Sequence, residues 1–193
     1  MVLQRKIYKK LLEWKNESTG KKALMVEGAR RIGKSTICEE FGKKEYENYI
    51  LIDFAKKDKE IEMYFETHLN DLDTFFMLLQ THFGKKLTER NSLIIFDEVD
   101  TGVSGDVANR MGEMMQNIAQ NIQVIAITHL PQVAAKGDWQ FKVYKEDNND
   151  STNTHIRELS NDERINEIAI MLSGSSVEET AIANAKSLLN QKK

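Results

Sequence analysis

Two clusters of residue types in this chain are suited to phosphate chemistry. The first is Gly28-Ala29-Arg30-Arg31-Ile32-Gly33-Lys34-Ser35-Thr36, in which a glycine and four variable residues precede Gly-Lys-Ser. The glycines let successive backbone N–H groups turn inward around phosphate oxygens. A helix start adds its positive dipole end, Lys34 adds a mobile charge, and the Ser35 hydroxyl can hold a magnesium ion. The flanks agree: Ala23 to Glu27 is a short apolar run that predicts a buried strand, and Ser35 to Phe41 predicts a helix, the strand–loop–helix setting that this spacing requires. Gly28, Arg31, Gly33, Lys34, Ser35 and Thr36 are therefore the candidate nucleotide-binding residues, with ATP and magnesium as the expected ligands.

The second cluster is Asp97-Glu98. The uninterrupted apolar run Leu93 to Phe96 ending in two acids predicts a strand buried on both faces, its carboxylates emerging at the carboxyl edge of a parallel sheet. Such a run is common by itself; after a phosphate loop it supplies the other half of a nucleotide-hydrolysing site. Asp97 would share the magnesium with Ser35, through water, and Glu98 would orient or deprotonate the attacking water. A further buried run, Ile122 to Ile127, brings Thr128 and His129 to the same edge. His129 is a third candidate, open to both a catalytic and a structural reading.

These residues must be positioned by an α/β fold. Gln4 to Lys15 has Ile7, Tyr8, Leu11, Leu12 and Trp14 at helical spacing and predicts an amphipathic helix; Tyr8 or Trp14 either packs into the core or stacks on a base. Tyr49 to Phe54 predicts a strand ending at Asp53. Ala55 to Arg90 carries apolar residues three and four apart and predicts two helices, broken near Asn70-Asp71 and at Gly84. His68 and His82 have no Cys or carboxylate at metal-ligand spacing, so both are expected at the surface or the edge of the core. The methionines at 111, 114 and 115 face inward on a helix that follows the Gly102-to-Gly105 stretch. Trp139 to Lys145 and Asn153 to Leu159 predict an edge hairpin around a polar turn, Glu146 to Ser151, with His155 facing solvent. Two closing helices begin with the capping-box pairs Ser160/Glu163 and Ser176/Glu179.

The 193 residues suffice for one domain, the expectation here for 1–193. No apolar run approaches the roughly 20 residues that span a bilayer, and Met1 to Lys10 lacks the apolar core of a secretion signal, which points to the cytoplasm and away from a membrane. The single cysteine, Cys38, excludes an internal disulfide and is expected in the core. A net charge of −3 offers no electrostatic support for DNA binding by the surface as a whole.

The residues resemble two families. "LLEW", "GARRIGKST", "EEFGKKEYENYILIDF" and "LIIFDEV", from Met1 to about Phe96, are similar to the first half of a bacterial AAA-type ATPase domain. "FDEVDTGVSGDVANRMGEMM", "IQVIAITHLPQVAAKGDWQFKV" and "RINEIAIMLSG", from about Asp97 to Leu189 in the half 97–193, resemble the carboxyl-terminal head of the DNA repair family RecN, SMC-like ATPases of the ABC class. Both share the strand ending in Asp-Glu, so the chain reads as a chimera, natural or engineered, joined between Leu93 and Val99. The fold implied is a P-loop NTPase with a mostly parallel sheet flanked by helices, an edge β-hairpin and two C-terminal helices. In it, the strand ending at Ile127 lies between the phosphate-loop strand and the Asp97 strand. The RecN resemblance implies that Glu98 is the catalytic glutamate, that 100–105 touch an opposing subunit of a homodimer, and that His129 reaches the terminal phosphate. It is also the only argument for DNA as a partner.

Two departures bear on activity. The ABC class carries a Ser-Gly-Gly signature just before the Asp-Glu strand, where this chain has Gly84 to Arg90, and Met171-Leu172-Ser173-Gly174 lies too far downstream to replace it. The AAA-side sensor and arginine finger are not recognisable in the second half. The expectation is a magnesium-dependent ATP-binding domain that hydrolyses slowly or not at all; the alternative is a non-enzymatic recombinant whose parental activities are lost.

Overall fold

Short runs rich in branched residues assemble into one six-stranded sheet: β1 Ala23–Gly28, β2 Asn48–Asp53, β3 Ser92–Asp97, β4 Gln123–Ile127, β5 Trp139–Asn148 and β6 Ser151–Glu158. The computed structural model describes residues 2–18, 22–29, 31–99, 105–148, 151–174 and 177–190. The strand order is β2-β3-β4-β1-β5-β6, parallel throughout except for the β5–β6 hairpin at the edge. β4 therefore lies between β1 and β3, as expected. The register places Asp53 opposite Asp97, Asp97 opposite Ile127 and Val26 opposite Ile127, so the carboxyl ends of four strands finish together.

Helices cover both faces because the central strands are apolar on both sides. Helices α1 (Val2–Ser18) and α2 (Lys34–Glu45) lie on one face, where Trp14, Phe41, Ile95 and Ile125 are buried together. Helices α3 (Lys59–Thr67), α4 (Leu72–Phe83) and α5 (Gly105–Ile118) cover the other, where Phe75, Phe96, Met111 and Met115 form the core. Helices α6 (Pro131–Lys136), α7 (Asn161–Ser173) and α8 (Glu179–Asn190) enclose a smaller, alanine-rich cluster. Local chemistry sets the ends. Asp58 caps α3, Asp71 caps α4, and Gly84, in the left-handed region, closes α4. The Ser160/Glu163 capping box is present, while Ser176 lies outside the described residues.

Four local expectations are refined. Trp14 is fully buried, so it packs rather than stacks on a ligand, and Tyr8 meets Phe41 edge-on and donates to Glu45. The polar stretch 146–151 is largely ladder, with Glu146 paired to Asn153 and Asn148 to Ser151, because an edge hairpin needs no burial to keep its backbone bonded. His155 is half-buried and stacks on Tyr144 rather than facing solvent. His82 does have carboxylate partners: Asp58 at 3.2 Å and Glu60 at 3.0 Å, reached across the α3–α4 packing rather than along the sequence.

Strands from both ends of the chain are locked together by buried polar groups. Tyr46 donates to Gln123, whose amide donates to Ser18 at 2.6 Å. Glu27, at the end of β1, accepts from Gln140 at 2.7 Å, and Gln140 accepts from Arg164 at 3.3 Å.

Candidate nucleotide-binding site

The loop between β1 and α2 depends on positive backbone angles. Gly28 has φ 138°, Arg31 62° and Gly33 86°, and Gly33 opens α2 from the left-handed region, where a residue with a Cβ is strained. A glycine at this position has no side chain to cap the helix, and the positive end of the α2 dipole faces this turn, a setting suited to an anion. Lys34 donates to the carbonyl oxygens of Gly28 at 2.8 Å and Ala29 at 2.7 Å, which folds its ammonium over the loop. Arg31 and Thr36 are exposed on the same turn. Arg30 lies outside the described residues.

Ser35 faces the end of β3. Its hydroxyl is near enough to the Asp97 carboxylate to favour the ionised form, and Asp97 is only 6% exposed with its Oδ1 lacking any hydrogen-bond partner. Burial pushes the acidity of Asp97 down, that is, its pKa up; the Ser35 hydroxyl opposes this, and the charges of Asp53 and Glu98 add to it. An orphaned, buried carboxylate oxygen beside a hydroxyl suits a hard cation. Among the described residues no three His, Cys, Asp or Glu side chains form a metal cluster. Magnesium takes one or two protein oxygens and completes its shell with water and phosphate.

Glu98 follows with φ 54°, a left-handed conformation unusual for a residue with a side chain. Such backbone strain turns the chain sharply at the strand end and persists where surrounding structure holds it. Thr128 is buried, its hydroxyl accepting from the Leu130 amide at 3.0 Å, and His129 is exposed next to it at the end of β4. The sheet register thus brings the ends of β1, β3 and β4 to one edge. The segment 100–104, expected to meet an opposing subunit, lies outside the described residues. Cys38, on α2, is buried as expected; burial and the Asp97 charge push its thiol up to about 12, which excludes a thiolate role.

Two acids near the site were not singled out from the sequence. Asp53 shares the grammar of β3, an apolar run ending in an acid, and that signal was readable. Glu27 looks like the last residue of an apolar strand, and nothing local tells that β5 and α7 will enclose it.

Residues 20–129 match the AAA domain family, more than half of the chain. The chain belongs to that family. It is also similar to the DNA repair protein RecN of Rickettsia felis, 38% identical over 120 residues, covering 62% of this chain and 22% of the relative. RecN of Bacillus subtilis is 45% identical over 98 residues, 51% of this chain and 17% of the relative. The chain spans about a fifth of the length of these curated relatives. Among solved structures, a KaiC-like protein from Pyrococcus horikoshii aligns with TM-score 0.48 at 9% identity, over 71% of this chain and 77% of that one. An Smc head domain derived from Pyrococcus yayanosii aligns with TM-score 0.39 at 18% identity, over 53% and 17%. The AAA match does not stop near residue 96 but runs on through β4 to 129; the Rickettsia felis match and the AAA match together exceed 193 residues, so they overlap.

Proposed function

We propose that this chain is a magnesium-dependent ATP-binding domain of the RecN-like DNA-repair ATPase class, with slow or no hydrolysis. The observation that carries the reading is the Ser35 hydroxyl beside Asp97, whose Oδ1 is buried without a partner, at the foot of a glycine-bearing loop where α2 has no side-chain cap. Gly28, Arg31, Gly33 and Thr36 belong to the turn that would surround the phosphates, and Lys34 would exchange its two carbonyl contacts for phosphate oxygens. Ser35 and Asp97 would hold the magnesium, Asp97 through water; the ion supplies charge neutralisation at the phosphates. Glu98 would orient the attacking water and His129 would contact the terminal phosphate.

The low rate follows from the outer side of the phosphate. Charge or aligned donors supplied there by a second subunit are worth about 10³ to 10⁵ in turnover in related systems. The ABC signature that would supply them is not in this sequence, and dimerisation through 100–105 would bring no substitute for it. Homodimerisation and a DNA partner enter only through the RecN relatives, as does the reading of the chain as a chimera of AAA-like and RecN-like halves. The test is calorimetric titration with ATP and magnesium, followed by phosphate release in the parent and in Glu98→Gln. Stoichiometric binding with little turnover supports the proposal, and no binding at millimolar ATP rejects it.

A further inference from the structure

Asp53 is the unassigned group with the best claim to a part in this site. β2 and β3 are parallel and in register from Asn48–Ser92 to Asp53–Asp97, so the two acids end neighbouring strands side by side. Strand alternation settles which way they face. Tyr49 and Leu51 on β2, like Leu93 and Ile95 on β3, pack on the α1–α2 side, while Ile50, Ile52, Ile94 and Phe96 pack on the opposite side. Asp53 and Asp97 therefore both fall on the α2 face, the face that carries Ser35. Neighbouring strands are about 4.8 Å apart, a separation that one water or a hydrated cation bridges.

The charges of this pair are poorly compensated. Asp97 is buried, and its Oδ1 has no partner. Asp53 itself caps the turn Phe54–Lys56 through Oδ1, which accepts from the Ala55 amide at 3.1 Å, and its Oδ2 lies 3.4 Å from Lys56. The Lys56 side chain is 74% exposed, and so well solvated an ion pair contributes little. Two like charges at adjacent strand ends, one of them buried, are stabilised by a cation between or beside them.

We infer that Asp53 is a positioning residue for the magnesium ion, one that would accept a hydrogen bond from metal-bound water beside Asp97. This rests on the proposed nucleotide site. The competing account is that Asp53 only caps the turn after β2, and Asp53→Asn separates the two because asparagine caps equally well.

The experiment measures ATP affinity by calorimetry over a series of magnesium chloride concentrations, and in EDTA, for the parent and Asp53→Asn, with thermal unfolding as a check on the fold. In Asp53→Asn the magnesium concentration for half-maximal binding should rise about tenfold, the scale of losing a metal's hydrogen-bonded support. Affinity in EDTA should stay the same or tighten, since a negative charge near the phosphates has been removed. An unchanged magnesium dependence, or equal weakening with and without magnesium, overturns the inference. Should Asp53→Asn fail to fold, Asp53→Ser, which also caps and carries no charge, gives the same comparison. If the parent shows no magnesium-dependent binding, the site assignment falls and this inference with it; a parent that binds beside an unaltered variant rejects this inference alone.

Discussion

The backbone of Gly28 runs so close to that of Val143 that a Cβ on Gly28 would stand 2.0 Å from the Val143 carbonyl oxygen. β1 and β5 pair at this point, Gly28 opposite Val143, so the first residue of the phosphate loop is also a tight strand contact. Gly28→Ala combines that clash with a φ of 138° and should lower stability by about 3 kcal/mol, or roughly 10 °C in thermal unfolding. Gly33→Ala meets nothing within 4 Å and carries only the cost of a left-handed residue, about 1–2 kcal/mol, yet should weaken ATP binding through the loop path. Equal melting temperatures for the two variants would show that the strand contact is not as close as described.

Stability should fall as pH rises through neutrality, because of Glu27. Its side chain is enclosed by β5 and α7, 5% exposed, with Oε1 unpartnered. Burial, with the nearby Glu167 charge, pushes its pKa from 4.5 up to about 7, while the Gln140 bond and Lys142 oppose the shift. The folded chain therefore binds this proton more tightly than the unfolded chain. The associated stability is complete below about 4.5 and is lost as pH climbs to 7 and beyond, at up to about 1.4 kcal/mol per pH unit. Glu27→Gln should keep the Gln140 contact and flatten the curve. Urea unfolding of both proteins from pH 5 to 8 decides it, and parallel curves would remove Glu27 from the account.

Hydrolysis should run at least about a hundredfold below a common enzyme turnover of roughly 10 per second. Glu98→Gln should reduce even that residue of activity, and duplex or single-stranded DNA should not raise it. Steady-state phosphate release near one per second, lost in Glu98→Gln, would mean that the chain supplies outer-side charge from groups not identified above.

The strands and the phosphate loop were legible because their signals are local: a run of branched residues, a glycine spacing, an acid at a strand end. Register was legible only in outline. The β4 position came from family likeness, but the pairing of Asp53 with Asp97 needs the β2–β3 alignment, which no short stretch encodes. The Glu27–Gln140–Arg164 chain and the His82 contacts with Asp58 and Glu60 depend on packing between elements far apart in sequence. The hairpin was longer than its polar centre suggested, since polar residues pair as readily as apolar ones at an edge. The expected boundary between two halves is the reading least visible in the fold, where β1 is flanked by β4 and β5 and buried polar groups tie both ends of the chain together.

The central claim is that Lys34, now held by the Gly28 and Ala29 carbonyls, is the cation that meets phosphate. Titrating ATP with magnesium into the parent and into Lys34→Ala by calorimetry tests it most directly. The account requires one-to-one binding by the parent and no measurable binding by Lys34→Ala at an unchanged melting temperature. Binding by Lys34→Ala as tight as by the parent would contradict it.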